Sequence, residues 1–322
     1  MHKELTIITV NYFSADLIKK LADTMPNRKS FDYNWIVVDN SEDMAQAKAL
    51  KKISKIDRII IQKHNVGFGA ANNIGTKNSK SNYYLFLNPD TTLISGSLEK
   101  LLLFMKNNTD YAMAGPKILN NDGSIQLSAA KKYPYWWSHA IDYSPLLRLL
   151  VGKFGFNQYP TMYTFKDHDK DLDPNALLGA CIMVVAKDFN RVKGFDSKFF
   201  MYREETDLSR RLIKNNKKIK YLSEAKIFHV SGGSSKNNFY AELNPLYIKS
   251  SYMFLSKWHN PLYVVMCWLI GITGLITSLI FFCIAGITIP NKRKDYFRIA
   301  KICLQCTLNH LVHPFAIGYY IR

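Results

Sequence analysis

The chain has 322 residues, 48% of them hydrophobic and 13% aromatic, and a formal net charge of +18. This content excludes a disordered protein, and the length holds one large or two ordinary domains. The charge calls for an anionic partner such as a lipid surface or a phosphorylated substrate. With no zinc-finger or RNP pattern and no readable basic helix stripe, no nucleic-acid partner is expected.

The opening "MHKELTIITV" has too short an apolar run for a signal peptide and reads as a strand, so the amino-terminal bulk is expected to stay in the cytoplasm. Up to about residue 115, the runs "LTIITV" (5–10), "NWIVVD" (34–39), "RIIIQ" (58–62) and "YYLFL" (83–87) alternate with longer amphipathic stretches. Continuous apolar strands alternating with helices predict an α/β fold, a parallel sheet covered on both faces. Ligands of such sheets bind outside the strands' carboxyl ends. Those ends carry Asn11-Tyr12, Asp39-Asn40-Ser41, His64-Asn65 and Asn88-Pro89-Asp90. Taken singly, Asn-Pro-Asp is a good turn. Four polar ends on one rim make a site.

Beyond 116, "NNDG" (120–123) predicts a hairpin turn, and "YPYWW" (133–137) is an aromatic cluster whose two tryptophans read by default as core. The segment around 140–175 has no assignable pattern. "GACIMVVAK" (179–187) reads as a buried strand. "EETDLSRRLIKNN" (204–216) has helical spacing with a basic end that suits the helix dipole. No charged residue occurs from Asn260 to Asn291, a run long enough to cross a bilayer. A single tilted span and a re-entrant helix broken at Gly271 and Gly274 both satisfy it, and basic flanks on either side leave the orientation open. The tail from Lys292 mixes cations with an apolar face and suits the headgroup layer. Five scattered cysteines form no disulfide framework; Cys303 and Cys306 read as small helix-face residues. Three segments follow: 1–115, 116–250 and a membrane-associated helical region, 251–322.

"HNVGFGAANNIG" (64–75) allows close backbone approach, but it is neither a Walker loop nor a Rossmann fingerprint. Its bland reading is a Gly-rich helix start. Three acids, Glu204, Glu205 and Asp207, stand within four positions, where mutual repulsion raises carboxyl pKa values toward a usable base. A solvated helix N-terminus rich in acids accounts for them equally well.

In this order, "TVNYFS", "VVDNSED", "HNVGFGAANNIG", "FLNPDTTL", "VKGFDSKFFMYREETDLSRRL" and "FHVSGG" resemble the family 2 inverting glycosyltransferases, in particular the bacterial rhamnosyltransferase-like branch. The resemblance covers roughly residues 4 to 235. It implies a GT-A fold, with a nucleotide-sugar-binding half (1–115) and an acceptor-binding, catalytic half (116–250). Thr9, Asn11, Tyr12, Asp39 and Asn40 are implied at the base and ribose, with Asn65, Gly67, Phe68, Gly69 and Asn72 beside them. Asn88-Pro89-Asp90 takes the place of the family's metal motif, with Asp90 as ligand to Mg²⁺ or Mn²⁺. The neutral Asn88 is a departure that weakens the ligand set. His229 matches the histidine that reaches the metal or diphosphate. Glu205 matches the base, beside Glu204 and Asp207, though the family usually has Asp there. Arg211 faces the diphosphate or pairs with an acid.

The implied reaction moves a sugar, rhamnose from dTDP-rhamnose or otherwise a sugar from a UDP-sugar, with inversion. The implied acceptor is a lipid-linked (polyprenyl pyrophosphate) oligosaccharide in O-antigen or capsule synthesis. The place is the cytoplasmic face of the bacterial inner membrane, in contact with membrane lipids. Two rivals stand against it. A nucleotidyltransferase would carry a Gly-rich, basic loop after the first strand, which "NYFSADL" lacks. A non-catalytic, membrane-tethered nucleotide-sugar or glycan binder needs no base at position 205.

Overall fold

The computed structural model describes residues 3–29, 32–77, 79–156, 159–230 and 245–312. The Ser231-Gly232-Gly233 end of the "FHVSGG" motif and the tail beyond Val312 lie outside them. The chain forms two compact units, residues 1–132 with 162–233 and residues 133–161 with 234–322. They are not consecutive in sequence: a stretch rich in aromatics leaves the first unit and joins the helical second.

In chain order the first unit begins β1 (Lys3–Asn11), α1 (Ala15–Thr24), β2 (Tyr33–Asp39), α2 (Met44–Lys51), β3 (Arg58–Ile61), α3 (Phe68–Thr76) and β4 (Ser81–Leu87). It continues through β5 (Thr91–Leu93), α4 (Ser97–Asn107), β6 (Tyr111–Leu119) and β7 (Ala130–Lys131). The second unit opens with α5 (Trp136–Asp142) and α6 (Pro145–Lys153). The first resumes with β8 (Ala176–Leu177), β9 (Cys181–Val185), α7 (Ala186–Arg191), α8 (Glu204–Lys214) and β10 (Lys218–His229), and the second closes with α9 (Pro245–Trp258), α10 (Pro261–Thr288) and α11 (Arg293–Val312).

One eight-stranded sheet runs in the order β3-β2-β1-β4-β9-β6-β10-β5. Strands β3, β2, β1 and β4 are mutually parallel, as are β6 and β10, while β9 and β5 run antiparallel to their neighbours. The fold is therefore mixed α/β around a mostly parallel sheet, as the runs of apolar residues predict. Seven of the nine residues of β1, from Leu5 to Asn11, are buried, because helices cover both faces and alternate side chains find no water on either. The "GACIMVVAK" run is the buried strand expected. The "NNDG" turn also forms: Gly123 has φ +83°, and the Asn120 N–H donates to the Ser124 carbonyl at 2.8 Å.

Alternating helices cross over so that β1, β2 and β4 end on one rim. The register pairs Asn11 with Asp39 and Ile8 with Phe86, which carries Asn88 to the same edge. Helix α3 lies close on the sheet because Gly75 has no side chain, and a Cβ there would stand 2.4 Å from Ile8 Cγ2.

The second unit is helical. Helix α10 buries Val264, Cys267, Leu275 and Ser278. The Tyr252 hydroxyl lies 3.0 Å from Nε2 of both His139 and His310, which ties α5, α9 and α11 together. Trp136 and Trp137 are 50% and 45% exposed, so the core reading of that pair fails: both stand in the first turn of α5, half in solvent. All five cysteines are free, and Cys303 and Cys306 sit buried on α11.

Gly75→Ala tests the close approach of α3 to β1. The added methyl is expected to cost about 1–3 kcal/mol of stability, read by denaturant unfolding in detergent. An unchanged midpoint contradicts the contact.

Candidate active site

The rim opens on a hydrogen-bonded cluster. Asn11 Nδ2 donates to Asp39 Oδ1 at 2.9 Å and to the Ser41 hydroxyl at 3.0 Å, and Asn11 Oδ1 accepts the Ser14 N–H at 3.0 Å. The other carboxylate oxygen, Asp39 Oδ2, is buried without a hydrogen-bond partner. An unmet buried acceptor is costly, so the site fits a ligand that brings an N–H there. Thr9 does not reach the rim: it is fully buried and accepts the Trp35 indole N–H at 3.0 Å. Tyr12 stands at the rim, 56% exposed.

The Gly-rich motif splits in the same way. Asn40 Nδ2 donates to Asn65 Oδ1 at 2.9 Å, and Asn65 Oδ1 also accepts the Gly67 N–H at 3.0 Å. Gly67 has φ +85°, and a Cβ would stand 2.4 Å from the Phe200 carbonyl oxygen, which accepts the Phe68 N–H at 2.9 Å. Only glycine fits there. Gly69 faces Phe195 and Glu204, and the Phe68 ring meets Phe195 edge-on. Asn72 is buried and donates to the Phe68 carbonyl at 3.0 Å. Asn40, Asn65 and Gly67 shape the rim, whereas Gly69 lets α3 approach Glu204, Phe68 packs on Phe195 and Asn72 bonds within α3.

Asp90 lies where β5 pairs with β10, in the register His229↔Thr91. Its Oδ1 is 3.3 Å from His229 Nε2. Gln126 Nε2 donates to the His229 carbonyl at 2.7 Å and to Asn120 Oδ1 at 2.9 Å, so its Oε1 is left to face His229 Nδ1 at 3.0 Å. That arrangement puts a ring hydrogen on Nδ1 and leaves Nε2, toward Asp90, open to a cation or a proton. Two lone-pair atoms so close need a cation or a proton between them. Two cis ligands of a hard divalent ion stand about 3 Å apart. Asn88 Oδ1 is buried nearby in sequence and has no partner. Among the described residues no group of three or more His, Cys, Asp or Glu is placed to hold a metal ion by itself. The donor set therefore fits an ion shared with ligand oxygens, as Mg²⁺ and Mn²⁺ are shared with phosphates.

The acids sit at the start of α8, whose cap, Arg203, and its predecessor, Tyr202, both take left-handed φ, +67° and +68°. Consecutive non-glycine residues in this conformation cost about 1–2 kcal/mol each, and such strain gathers at functional sites. Glu204 and Glu205 are both buried. Burial, and then the Glu205 charge, push Glu204 well above the ordinary carboxyl range. Its Oε2 has no partner. Burial alone would push Glu205 up as well, but the charge and hydrogen bond of Lys131, with Arg203, more than offset it and hold its carboxyl low. Lys131 Nζ is 2.9 Å from Glu205 Oε1. Of this adjacent pair, mutual repulsion therefore raises Glu204 and not Glu205.

Asp207 is fully buried and receives Arg211 Nε at 2.8 Å; Arg211 Nη1 also donates to the carbonyls of Val192 and Gly194, each at 2.6 Å. Of the two readings of Arg211, pairing with an acid is the one the structure contains. Arg211 thereby ties α8 to the turn after α7 through Nε and Nη1, while its Nη2 is buried without a hydrogen-bond partner.

Gln126 and Lys131 carry no motif and were missed by sequence reasoning. They are five residues apart, one bonded to His229 and the other to Glu205. A five-residue segment spans at most about 18 Å. The same wall is held to the rim by the Asn88 N–H, which donates to the Ala180 carbonyl at 2.8 Å, and by Gly179 against the Phe68 ring. Asp90 and His229 at one end and Glu205 at the other are thus tied to the same short segment, 126–131. A separate hollow lined by Asn73, Ser79, Tyr84, Asn190 and Lys193 lies at the amino end of β4. By the strand-end rule it is not the ligand site.

Residues 6–172 match the model of Glycosyl transferase family 2. Rhamnosyltransferase WbbL of Escherichia coli K12 is 25% identical over 259 residues, 78% of this chain and 92% of that protein. The N-acetylglucosaminyl-diphospho-decaprenol L-rhamnosyltransferase of Mycobacterium tuberculosis is 24% identical over 274 residues, 80% of this chain and 85% of that protein. Among solved structures, the mannosyltransferase PcManGT of Pyrobaculum calidifontis, in complex with GDP-Man and Mn²⁺, has a TM-score of 0.56 at 9% identity, covering 97% of this chain and 87% of its own. GalNAc-T7 with UDP, GalNAc and Mn²⁺ has a TM-score of 0.54 at 11% identity over 80% of this chain, which spans about half (49%) of that protein. These two likenesses show the fold, that of the GT-A glycosyltransferases. With its model matched over more than half of the chain, this protein belongs to glycosyl transferase family 2.

Proposed function

We propose that the chain is an inverting, metal-dependent glycosyltransferase that moves a sugar from a nucleotide donor to a lipid-linked glycan. The observation that carries this reading is the pair of bonds from one short segment, Gln126 to His229 and Lys131 to Glu205. It supports a reading in which the Asp90–His229 pair and Glu205 serve one cleft.

Asp39 Oδ2 takes an imide N–H of the base, a group that uracil and thymine share, and Asn65 and Gly67 flank the nucleotide. Asp90 and His229 Nε2 hold Mg²⁺ or Mn²⁺, which when bound neutralises charge on the departing diphosphate. Asn88 Oδ1 stands ready for a donor group of the ligand. Glu205 accepts the proton of the acceptor hydroxyl. The acceptor oxygen forms its bond to the anomeric carbon as the carbon–oxygen bond to the diphosphate breaks on the opposite face, which inverts the anomer. Lys131 keeps Glu205 ionised, and the neutral Glu204 avoids a second buried charge beside it.

The donor is dTDP-rhamnose, or otherwise a UDP-sugar, and the acceptor is a polyprenyl-pyrophosphate-linked oligosaccharide in surface polysaccharide assembly, such as O-antigen or capsule. Support comes from the rhamnosyltransferase relatives, one named for a decaprenol-diphospho acceptor. The apolar α10 supports residence at a membrane; the cytoplasmic face of the bacterial inner membrane is part of the same proposal.

Glu205→Gln is expected to lower transfer by about 10²–10⁴-fold while nucleoside diphosphate affinity stays within about threefold. Full turnover by this variant contradicts Glu205 as the base, whereas no transfer by the parent chain with any sugar nucleotide, and biological activity intact in Glu205→Gln, favours the silent-binder reading. Lys131→Met removes the charge that depresses Glu205. The acid limb of kcat/KM is then expected to move up by about 1–3 pH units. The sign follows from linkage: a depressed carboxyl keeps its proton off at lower pH, and its stabilising pair is lost only as pH falls through the folded value. An unmoved acid limb contradicts this role for Lys131.

A further inference from the structure

Helix α10 is one-sided. Its buried face runs from Val264 through Leu275 to Ala285. Its other face exposes Leu262, Leu269, Ile276, Ile280, Ile284 and Ile287. Thr273 and Thr277 lie exposed on that face too, but their hydroxyls donate back to the carbonyls of Leu269 and Thr273, both at 2.8 Å. A hydroxyl spent on its own helix asks nothing of the surroundings, which is how lipid-facing threonines are accommodated.

Helix α11 returns along α10. A Cβ at Gly286 would stand 3.1 Å from the Phe297 ring, the Phe282 and Tyr296 rings are 5.7 Å apart, and the Trp268 indole N–H reaches the His310 carbonyl at 3.3 Å. Phe297, Leu304, Leu308 and Leu311 are exposed along one stripe of α11. At 100° per residue, Lys294, Arg298, Lys301 and Gln305 occupy the sector immediately beside it, and all four are exposed.

This split surface decides between crossing a bilayer and lying in it. If α10 crossed, its antiparallel partner would be carried across with it. Gln305, between the level of Gly286 and that of Trp268, would then face acyl chains near the middle of α10, with Lys301 one turn away. The break between α5 and α6 would be drawn to the same depth, since the Leu146 N–H donates to the Ser278 hydroxyl at 3.1 Å. Charged and amide side chains facing mid-bilayer lipid are strongly disfavoured. A helix pair with an apolar sector edged by cations matches the interfacial geometry instead.

We propose that the α10–α11 hairpin lies flat in the headgroup–acyl boundary of one leaflet and does not cross the membrane. Its apolar sector enters the acyl region, and Lys294, Arg298 and Lys301 rest on anionic headgroups. This rests on the membrane residence proposed above.

The full chain is added to preformed vesicles of phosphatidylcholine with about a third phosphatidylglycerol, and flotation first reads whether it binds. Bound protein carrying His259→Cys or Asn291→Cys, in the turns at the two ends of α10, is then treated with a membrane-impermeant maleimide. Background labelling is taken from the parent chain, and Asp122→Cys in the hairpin turn after β6 is the exposed reference. The flat arrangement predicts that both ends label as fully as the reference, and that affinity falls at least tenfold on purely zwitterionic vesicles. Protection of either end until detergent is added overturns the proposal, as does affinity indifferent to anionic lipid. Failure to float at all overturns membrane residence itself, which separates the two readings.

Discussion

A carboxylate survives in a protein interior only when its charge is met, and the Lys131–Glu205 pair at 2.9 Å meets it. The remaining features of the acidic motif depend on that contact. With Lys131 in place, the Glu205 carboxyl is held low while that of Glu204, equally buried but unpaired at Oε2, is pushed well up. Two acids shifted in opposite directions then stand side by side at a helix N-terminus. The strained Tyr202-Arg203 backbone and the Arg211 clamp on Asp207 keep that helix where the pair can form.

The same segment reaches the other half of the chemistry. Gln126 fixes the tautomer and direction of His229, and five residues later Lys131 fixes the ionisation of Glu205. The proposed cation ligand and the proposed proton acceptor are thereby each bonded to one stretch that contains neither. Loss of the segment's shape would uncouple the two even with every acid and histidine intact.

The strands were legible because their apolar runs are continuous, and the rim because polar residues stop each run abruptly. The structure does bring Asn11 and Asp39 together at that rim, 2.9 Å apart. Thr9 was misplaced because family position says nothing of which face of a strand meets Trp35 in the core. Asp207 and Arg211 were read as site residues because charges four apart on a helix look alike whether they serve each other or a ligand. Gln126 and Lys131 could not be read at all: their partners lie 103 and 74 residues away, and no local pattern encodes a contact of that span. The tryptophans at 136 and 137 show the converse error, since adjacent aromatics predict burial only when something covers them.

The account stands on the two acids serving one cleft. Crystals grown with Mn²⁺ and a nucleoside diphosphate, mapped by the anomalous signal of the ion, test this directly. The account predicts a single peak in contact with Asp90 and His229 Nε2, the diphosphate resting on it, and the Glu205 carboxylate facing the vacant sugar position from the opposite side. An ion bound elsewhere, or a Glu205 carboxylate turned to a separate surface from the diphosphate, contradicts it.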